Sequence, residues 1–469
     1  MAFSVEKMKD RGQWESMVSS NIFSFFLMIK SILLLALMPC SVFMSFAKDA
    51  PVYIEEPLDI ALVWSAHPVD FCLLTHAPYQ FVAFYDQHRQ LTVAQRLLNE
   101  KKWVFTRLPD TTGWDSHNYL TMAIDDDGFL HLSGDMHCVP LNYYRSTRAF
   151  DASSLTKVPQ MVGANEQRTT YPRFLRGAKN VFLFTYRDGG SGDGNQLYNV
   201  YNQKTKTWSR LMDQPLTDGE GLRNAYFNGP VLGLDNYFHL AWVWRESPDA
   251  STNHDLSYAR SKDMIHWENA QGKPLTLPIK LNDGAIVDPV PQKGGIINGN
   301  TTIGFDDKGR VTISYHKHDQ QGFTQPWTAR LEEGKWTFHK ITDWPWHWDF
   351  GGGGTLSFAI RVGPVMKDAD GRLVQDFSHQ QFGGGTWLLD PETLEAKGKI
   401  SRSTMPSGFG KAEGTFPGLT VKSKGDDGAV NSKNVRYTLR WEALPANRDL
   451  PRSGELPPPS MLRLYSLKR

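Results

Sequence analysis

The chain has 469 residues, and its 51 Lys and Arg nearly balance its 50 Asp and Glu, which leaves a formal net charge of +1. With 40% hydrophobic residues it is neither a disordered chain nor an acidic solvating protein, and its balanced charge argues against nucleic acid as a partner. Its 40 Gly, 27 Pro and 12% aromatic residues favour many short strands joined by tight turns over long helices.

The amino-terminal region holds the one strongly apolar stretch of the chain, at residues 22–46. A lysine lies just ahead of its Leu-rich part, and Ser45-Phe46-Ala47 has the small-x-small pattern of a signal-peptide cleavage site. We therefore predict that residues 1–47 form an extension and a signal peptide, and that the protein is secreted or periplasmic. A lipid anchor at Cys40 and an uncleaved anchor are the alternatives. No later segment has the roughly 20 apolar residues that span a bilayer, so no stable membrane span is expected in the mature chain.

From about residue 50 onward, short runs of alternating aromatic and β-branched residues recur, separated by polar turns. Alternation with a period of two predicts β-strands. In chain order the runs lie at residues 81–85, 129–133, 181–186, 237–242, 311–315 and 462–465. Hairpin turns are predicted at residues 126–128, 306–309 and 369–371, where Gly and Asp tolerate the positive φ of tight connections.

Successive runs are often separated by about 50 to 70 residues, the length of a four-stranded blade with a variable loop. We predict an all-β fold, a seven-bladed β-propeller that forms a single catalytic domain over residues 48–469, with six or eight blades as alternatives. The last strand, near residues 461–467, is expected to close the ring by pairing with a strand near residues 60–65. Residues 261–267 look like a degenerate Asp-box, a structural turn of sialidase-type blades.

The densest group of polar and aromatic residues runs from Trp114 to Tyr119 and, after a hairpin, from Gly134 to Arg145. If these halves are neighbouring strands of one blade, His117 and His137 lie near the same end of it. Imidazole is suited to proton transfer near neutral pH. The alternative is that one of these histidines only stabilises a turn. His131 follows the strand alternation and is predicted to be structural.

Residues 143–187 contain eight basic and two acidic residues. Most of the basic residues are Arg, which binds carboxylate or sulfate through two parallel hydrogen bonds. This excess predicts an anionic partner, although a solvated sheet edge is the alternative. Together with exposed aromatic rings and export, it favours an acidic polysaccharide. The simplest cleavage of a uronate polymer is β-elimination, in which a cation holds the carboxylate, a base removes the neighbouring proton and an acid protonates the leaving oxygen.

Four segments resemble a known family: residues 63–69, 115–145, 253–261 and 313–317. They are similar to the sialidase-repeat-like propeller proteins that include the seven-bladed ulvan lyases. The resemblance implies metal-independent elimination at a uronic acid linked to sulfated rhamnose. Some ulvan lyases carry a structural zinc, but residues 188–206 here contain neither His nor Cys, so no metal and no cofactor is carried over.

The resemblance also implies roles for single residues. The implied catalytic residues are His117, which abstracts the proton, His137 as the second active-site histidine, Tyr171, and Arg187, which neutralises the carboxylate. The predicted substrate-binding residues are Asn118, Arg145, Arg223, Tyr226 and His254. Tyr186 competes with Tyr171, and Arg145 or Arg223 competes with Arg187, because the lengths between motifs vary. Whether the acid is Tyr171 or a histidine stays open, since uronates of opposite C5 configuration present the proton on opposite faces.

Other residues leave alternatives open. His316 and His318 lie two apart on a predicted strand, which permits a metal pair. The aromatic run at residues 344–348 either stacks on sugar rings or caps a blade. The rival functions are a sialidase-type glycoside hydrolase, for which Glu166 and Glu220 are the available carboxylates, and a non-catalytic glycan-binding propeller. The preferred polymer, endo or exo action, the oligomeric state and a bond between Cys72 and Cys138 also stay open.

Overall fold

The structure, a computed structural model, describes residues 53–54, 56–400, 405–406, 408–428 and 435–468. The predicted signal peptide and the possible lipid anchor lie outside these residues. Residues Pro51–Arg469 form one compact unit. Within its described part, the strands are hydrogen-bonded into seven antiparallel sheets of four or five strands each. The described residues include no helix that is long and apolar enough to cross a membrane.

Each sheet is one blade. The first two strands, β1 (Tyr53–Ile54) and β2 (Leu58–Val63), belong to blade seven. Blade one contains β3 (Cys72–His76), β4 (Tyr79–Tyr85), β5 (Gln90–Leu97) and β6 (Val104–Thr111). Blade two contains β7 (Leu120–Ile124), β8 (Leu130–Gly134), β10 (Tyr143–Ser146) and β11 (Leu155–Lys157). Blade three contains β9 (His137–Val139), β12 (Thr169–Arg176), β13 (Phe182–Asp188), β14 (Asn195–Asn202) and β15 (Thr207–Arg210).

The remaining blades follow in the same order. Blade four contains β16 (Asn224–Leu232), β17 (Phe238–Arg245), β18 (Asn253–Ser261), β19 (Trp267–Glu268) and β20 (Ile286–Asp288). Blade five contains β21 (Thr302–Phe305), β22 (Val311–His318), β23 (Thr324–Glu332) and β24 (Lys335–Lys340). Blade six contains β25 (Ile360–Lys367), β26 (Leu373–His379), β27 (Gly383–Leu389) and β28 (Ala396–Ile400). Blade seven adds β29 (Thr420–Gly425), β30 (Val435–Ala443) and β31 (Ser460–Lys468). Short 3-10 turns lie at Ser116–Asn118, Ala152–Ser154, Ala178–Asn180 and Ala250–Thr252.

Blade seven closes the ring as predicted. Its strand β31 pairs with β2, so that Leu462 lies opposite Ala61 and Ser460 lies opposite Val63. Strands from opposite ends of the described chain therefore complete one sheet, and the predicted all-β, seven-bladed propeller is confirmed.

Aromatic residues fill the space between blades. All eight residues of β17 are buried, because the second strand of a blade is covered on both faces by its neighbours. Trp242 and Trp244 pack in one core cluster with Leu183 and Tyr198 of blade three. Each of these aromatic side chains buries a large apolar area between blades. A composition rich in Trp and Tyr therefore suits this architecture.

The strand directions bring particular loops to one end of the propeller. Leu120 at the start of β7 lies opposite Gly134 at the end of β8. The loop before the first strand of a blade and the loop after its second strand therefore meet at the same end, here called the upper face. Each blade repeats this antiparallel order, so the upper face collects such loops around the whole ring. His117 and His137 both lie at this face.

Two predicted structural features lie elsewhere in the fold. In the Asp-box turn between β18 and β19, the Ser261 hydroxyl oxygen accepts a hydrogen bond from the backbone N–H of Met264 at 2.8 Å, and the Trp267 ring is buried. In the aromatic run, Trp344 packs against blade six, with its ring centroid 4.9 Å from that of Phe382 and 5.9 Å from that of Trp387. The structure thus favours the capping interpretation for Trp344.

Candidate active site

Asp115 is the centre of the histidine cluster. It caps the 3-10 turn before β7, because its Oδ1 accepts the backbone N–H of His117 at 2.8 Å. The same Oδ1 lies 2.7 Å from Nδ1 of His117, and Oδ2 lies 2.6 Å from Nδ1 of His137. One carboxylate therefore holds both histidines.

The two imidazole rings are stacked, with centroids 3.9 Å apart and an interplanar angle of 25°. Although burial favours a neutral carboxyl, the hydrogen bonds from both histidines hold the pKa of Asp115 well below its usual value. An ionised carboxylate only accepts hydrogen bonds, so Nδ1 of each ring carries the hydrogen. The Nε2 atoms of His117 and His137, whose side chains are 18% and 29% exposed, are thus free to accept a proton.

His137 reaches this cluster from an unexpected position. The sequence suggested that it follows His117 within one blade, but strand β9 pairs with β12, which places His137 opposite Thr170 of blade three. The Cys138 backbone N–H then donates to the Thr170 hydroxyl at 2.8 Å. The histidine pair therefore spans the boundary between blades two and three.

A loop of blade seven supports the His117 turn. Asp449 accepts hydrogen bonds from the Ser116 backbone N–H and hydroxyl at 3.1 and 2.7 Å, and from the Thr355 backbone N–H at 2.7 Å. Its Oδ2 also lies 3.7 Å from Nδ1 of His117. The turn is thus tied to loops that are distant in sequence.

Arg187, near the end of β13, is a buried cation with 1% exposure. Its guanidinium donates to the Gly189 carbonyl at 3.0 Å, the Thr170 hydroxyl at 3.1 Å and the Tyr226 hydroxyl at 3.4 Å. No carboxylate of the described residues forms an ion pair with it. A buried charge without a counter-ion is costly, so this position is suited to an anionic ligand.

Tyr171 lies between the histidines and the arginine. It occupies a bulge in β12 with a φ of +59°, a conformation that is uncommon for a residue other than glycine. Its ring centroid is 5.5 Å from that of His117 and 5.0 Å from Cζ of Arg187. Burial and the neighbouring Tyr226 raise the pKa of Tyr171 above its ordinary value, despite the opposing effect of Arg187. The phenol therefore stays protonated at neutral pH and is suited to donating a proton.

A cavity of about 230 Å³ lies beside these tyrosines and is lined in part by Tyr119, Tyr171, Arg173, Tyr226 and Asn298. Of the predicted catalytic and binding residues, the structure brings together His117, His137, Tyr171, Arg187 and Tyr226. Tyr186 does not join them, because its hydroxyl donates to the Asn165 carbonyl at 2.9 Å within blade three.

Two predicted substrate-binding residues serve the fold instead. The guanidinium of Arg145 donates to the Tyr201 hydroxyl at 3.3 Å and to the Lys206 carbonyl at 2.5 Å. Asn118 is 8% exposed, and its side chain donates to the Thr112 hydroxyl at 3.1 Å. Neither side chain contacts the histidine or tyrosine cluster.

Arg223 and His254 form a separate ionic cluster on blade four. Glu246 Oε1 lies 2.9 Å from Nε of Arg223 and 2.8 Å from Nε2 of His254, and Asp255 lies 2.8 Å from Nδ1 of His254. Both predicted binders are thus already paired with carboxylates of the protein.

The predicted basic face is also divided. Four of its eight cations form ion pairs on different blades, namely Arg148 with Asp151, Lys157 with Asp110, Arg168 with Asp193 and Arg176 with Asp126. Strand alternation and the turns between strands send neighbouring charges to different faces, so a local excess in sequence does not become one surface.

Residues 79–344, more than half of the chain, match the model of the BNR repeat-containing family. The chain belongs to this family. The predicted likeness to BNR-type propellers is therefore confirmed.

Curated relatives of this BNR repeat-containing chain are named as long isoforms of ulvan lyase. The protein from Glaciecola sp. (strain KUL10) is 22% identical over 218 residues, which cover 36% of this chain and 22% of the relative. The protein from Pseudoalteromonas sp. (strain PLSV) is 26% identical over 129 residues, covering 25% of this chain and 13% of the relative. The matches thus span less than a quarter of the length of these relatives.

Solved structures share the fold over most of the chain. The polysaccharide lyase Uly1 superposes with a TM-score of 0.60 at 15% identity, covering 88% of this chain and 99% of that one. A PL25 ulvan lyase bound to -[GlcA(1-4)Rha3S]- superposes with a TM-score of 0.56 at 12% identity, covering 88% and 96% of the two chains. These similarities support the propeller fold of the BNR repeat-containing chain.

Sequence reasoning assigned no role to Arg245, at the end of β17. It is 9% exposed, its Cζ lies 5.7 Å from the Tyr226 ring centroid, and it forms no ion pair with a described carboxylate. Arg187 lies at a similar distance, with its Cζ 5.8 Å from the same centroid. Both arginines follow an aromatic residue and precede an acidic one, near the end of the second strand of a blade. This repeated pattern is the sequence signal that could have identified Arg245.

Among the described residues, one group of side chains is close enough to hold a metal ion: Asp115, His117 and His137. Its Nδ1–oxygen distances of 2.6 and 2.7 Å are those of hydrogen bonds.

His316 and His318 are not part of such a group. His316 is 1% exposed, with its ring centroid 5.5 Å from that of Trp348, and Nδ1 of His318 lies 3.1 Å from the Thr324 hydroxyl. Cys72 and Cys138 are both free thiols, so they form no disulfide with each other.

Proposed function

We propose that this BNR repeat-containing protein is a polysaccharide lyase that cleaves a sulfated, uronate-containing polysaccharide, ulvan or a similar polymer, by β-elimination. The observation that carries the proposal is a buried Arg187 that pairs with no carboxylate of the described residues and whose Cζ lies 5.0 and 5.8 Å from the ring centroids of Tyr171 and Tyr226. The adjoining histidine pair, held by one carboxylate, supplies a base. The names of the similar ulvan lyases agree with this class of reaction.

Arg187 is proposed to bind the uronate carboxylate. A planar guanidinium can donate two parallel hydrogen bonds to a carboxylate. Neutralising that charge makes the neighbouring C5–H bond more acidic, and the stabilisation grows as negative charge develops in the transition state. Its protein partners are the Thr170 and Tyr226 hydroxyls, the Gly189 carbonyl and the Cys138 Sγ at 3.4 Å, and none of them is a carboxylate that would compete with the substrate.

His117 is proposed to remove the C5 proton through Nε2. Its imidazolium product is stabilised by Asp115, whose oxygen already accepts the Nδ1 hydrogen at 2.7 Å. His137 shares the same carboxylate and is proposed as the second histidine of the site. When the C5–H bond breaks, its electron pair forms the C4–C5 double bond and expels the glycosidic oxygen at C4. Tyr171, which burial keeps protonated, is proposed to donate the proton that this oxygen takes up.

A sialidase-type hydrolysis is less compatible with the site. That chemistry needs a carboxylate paired with the tyrosine. Glu166 instead accepts the backbone N–H groups of Val162 and Met161 at 2.7 and 3.1 Å. Glu220 is ion-paired with Arg223 and with Lys280 at 3.3 and 3.2 Å. Neither carboxylate contacts Tyr171.

The test is incubation of the purified mature protein with ulvan and with other uronate polymers. Growth of the ultraviolet absorbance of an unsaturated uronate indicates elimination. New reducing ends without that absorbance would indicate hydrolysis, and binding without either would indicate a glycan-binding propeller.

His117→Ala is expected to abolish cleavage and leave the fold intact. His266→Ala is the matched control, because His266 is 86% exposed and lies in the Asp-box turn away from the site. Wild-type turnover by His117→Ala would refute its role as the base.

A polysaccharide substrate of the proposed kind lies outside cells. We therefore propose that residues 48–469 act as one exported catalytic domain. Mass spectrometry of protein recovered from the periplasm and medium of an expressing bacterium would locate the mature amino terminus. An intact terminus in the cytoplasmic fraction alone would refute export.

A further inference from the structure

A second cavity, of about 460 Å³, opens among blades four, five and six. Its walls include Ser251, Lys293, His318, His347, Trp348 and Phe350. Ser251 follows the end of β17, His318 ends β22, and residues 347–350 precede the first strand of blade six. All of these are loops of the upper face, so the cavity lies on the same face as the candidate active site.

The side chains of this cavity suit a sugar. The Trp348 and Phe350 rings lie with centroids 4.7 Å apart at 48°, and such rings pack against the C–H face of a sugar ring. The volume is within the roughly 300–1,000 Å³ of typical ligand pockets. Two further rings, of His318 and His347, have centroids 4.4 Å apart.

Polar groups complete the cavity. Lys293 is exposed and has no ion pair with the described residues, so its ammonium is available to a carboxylate or sulfate. Asp349, which also lines the cavity, can accept hydrogen bonds from hydroxyl groups. Burial and the neighbouring His347 lower the pKa of His318, so that it offers a hydrogen bond rather than a charge at neutral pH. Lys293 and Asp349, beside the aromatic rings, thus fit a sugar that carries several hydroxyl groups and a single anionic group.

A short segment connects this cavity to the candidate active site. Arg245, which lies against Tyr226, donates from Nε to the Ser247 carbonyl at 2.9 Å. Two residues further along, Asp249 caps the next turn and accepts the backbone N–H of Gly352 at 2.7 Å. Residues 245–251 thus connect Arg245, which lies against Tyr226, with Ser251 in the wall of the second cavity.

We propose that the cavity is a distal subsite, which binds an anionic sugar residue of the same polysaccharide several units away from the cleaved bond. This inference rests on the proposed function for the identity of the polymer. Because a short fragment cannot occupy both sites, the subsite makes the protein bind long chains more tightly than short ones.

The test measures binding and requires no turnover. In the His117→Ala background, the dissociation constants of high-molar-mass ulvan and of an ulvan disaccharide are measured by calorimetry. Lys293→Glu and Phe350→Ala are each expected to reduce the preference for the long chain, as the ratio of the two dissociation constants, by about tenfold. Lys335→Glu is the matched control, because it removes another exposed lysine, which lies at the start of β24 at the opposite end of blade five.

The subsite is overturned if the ratio of the two dissociation constants is the same in Lys293→Glu, in Phe350→Ala and in the His117→Ala protein that carries neither substitution. This holds even if the wild-type protein cleaves ulvan. Conversely, a length-dependent loss of binding in these variants supports the subsite even if the wild-type protein forms no unsaturated product, in which case the lyase proposal alone fails. Circular dichroism on both variants checks that the fold is retained, and the exposed position of Lys293 keeps that variant informative if Phe350→Ala is destabilised.

Discussion

Asp115→Asn is the substitution that most directly probes the histidine pair. The carboxylate accepts hydrogen bonds from two Nδ1 atoms, at 2.7 and 2.6 Å. An amide of the same shape has one acceptor and one donor atom, so it can keep only one ring in the Nδ1–H form. The other ring must carry its hydrogen on Nε2 and can no longer act as a base there.

The magnitude follows from the lost charge and the altered tautomer. A hydrogen bond to a charged group contributes about 1.5–3 kcal/mol, and each 1.36 kcal/mol in a barrier is about tenfold in rate. Loss of one such interaction in the transition state predicts about a 10- to 150-fold fall in kcat. If the basic nitrogen of His117 is also misplaced, the fall in kcat becomes larger, up to the roughly 10⁴-fold that general-base catalysis can contribute. KM is expected to change little, because Asp115 does not contact the proposed carboxylate-binding Arg187.

The assay follows the unsaturated uronate product at saturating and limiting ulvan over a pH range around neutrality. Asp263→Asn is the control, since it also removes a carboxylate held 2.7 Å from Nδ1 of a histidine, but in the exposed Asp-box turn. The control is expected to retain the kcat of the folded wild-type protein.

A thermal series separates catalysis from stability. The folded-state pKa of Asp115 lies below its unfolded value, so its ionic contribution is present above about pH 4 and is lost as the pH falls through the folded-state pKa. The difference in unfolding free energy between the wild type and Asp115→Asn should therefore shrink in acid. Wild-type kcat with an unchanged pH profile in Asp115→Asn would refute the reasoning.

Four further substitutions test other parts of the structure. Tyr171→Phe removes the proposed proton donor and should lower kcat by about 10²- to 10⁴-fold with ulvan binding retained in calorimetry; equal kcat would exclude it as the acid. Arg187→Lys keeps the charge but loses the planar pair of donors, so kcat/KM on ulvan should fall at least about tenfold, and no fall would contradict carboxylate binding. Burial raises the pKa of Asp135 to about 6, so the folded state binds that proton more tightly and stability falls as the pH rises from about 4 to 6. Asp135→Asn should accordingly raise Tm at pH 8 but not at pH 4 relative to wild type, and a pH-independent difference would argue against this linkage. His131→Gln should lower Tm without lowering the kcat of the folded fraction, because His131 is fully buried against Tyr143 at 2.7 Å, and an unaltered Tm would contradict its structural role.

Much of the fold was predictable because strand formation depends on near neighbours. Alternating residues such as those around 181–186 mark the second strand of a blade, and the structure places β13 there. Ring closure was predictable for a similar reason, since an apolar strand at residues 461–467 needs a partner and the propeller offers one beside β2. The same alternation identified His131 as a core residue.

The candidate site was predictable only in part. Histidines and tyrosines in recognisable local motifs, such as His117 and Tyr171, do meet in space. Arg145 occupies an equally suggestive position, yet its guanidinium is used to hold the neighbouring blade. Composition gives no means to distinguish the two cases, because a side chain's partners come from strands that the local sequence does not contain.

Local sequence patterns thus specify the strands, their turns and the residue types that are available for proton transfer, because those properties depend on residues a few positions apart. The site itself depends on contacts across the ring. Asp115 lies before blade two, Arg187 on blade three, Arg245 on blade four and Asp449 in a loop of blade seven, and only closure of the propeller brings their loops to one face. The contacts between these loops decide which cations pair with carboxylates of the protein and which stay available to a substrate. The partner of a charged side chain is the group that lies nearest to it in space, whatever their separation in sequence.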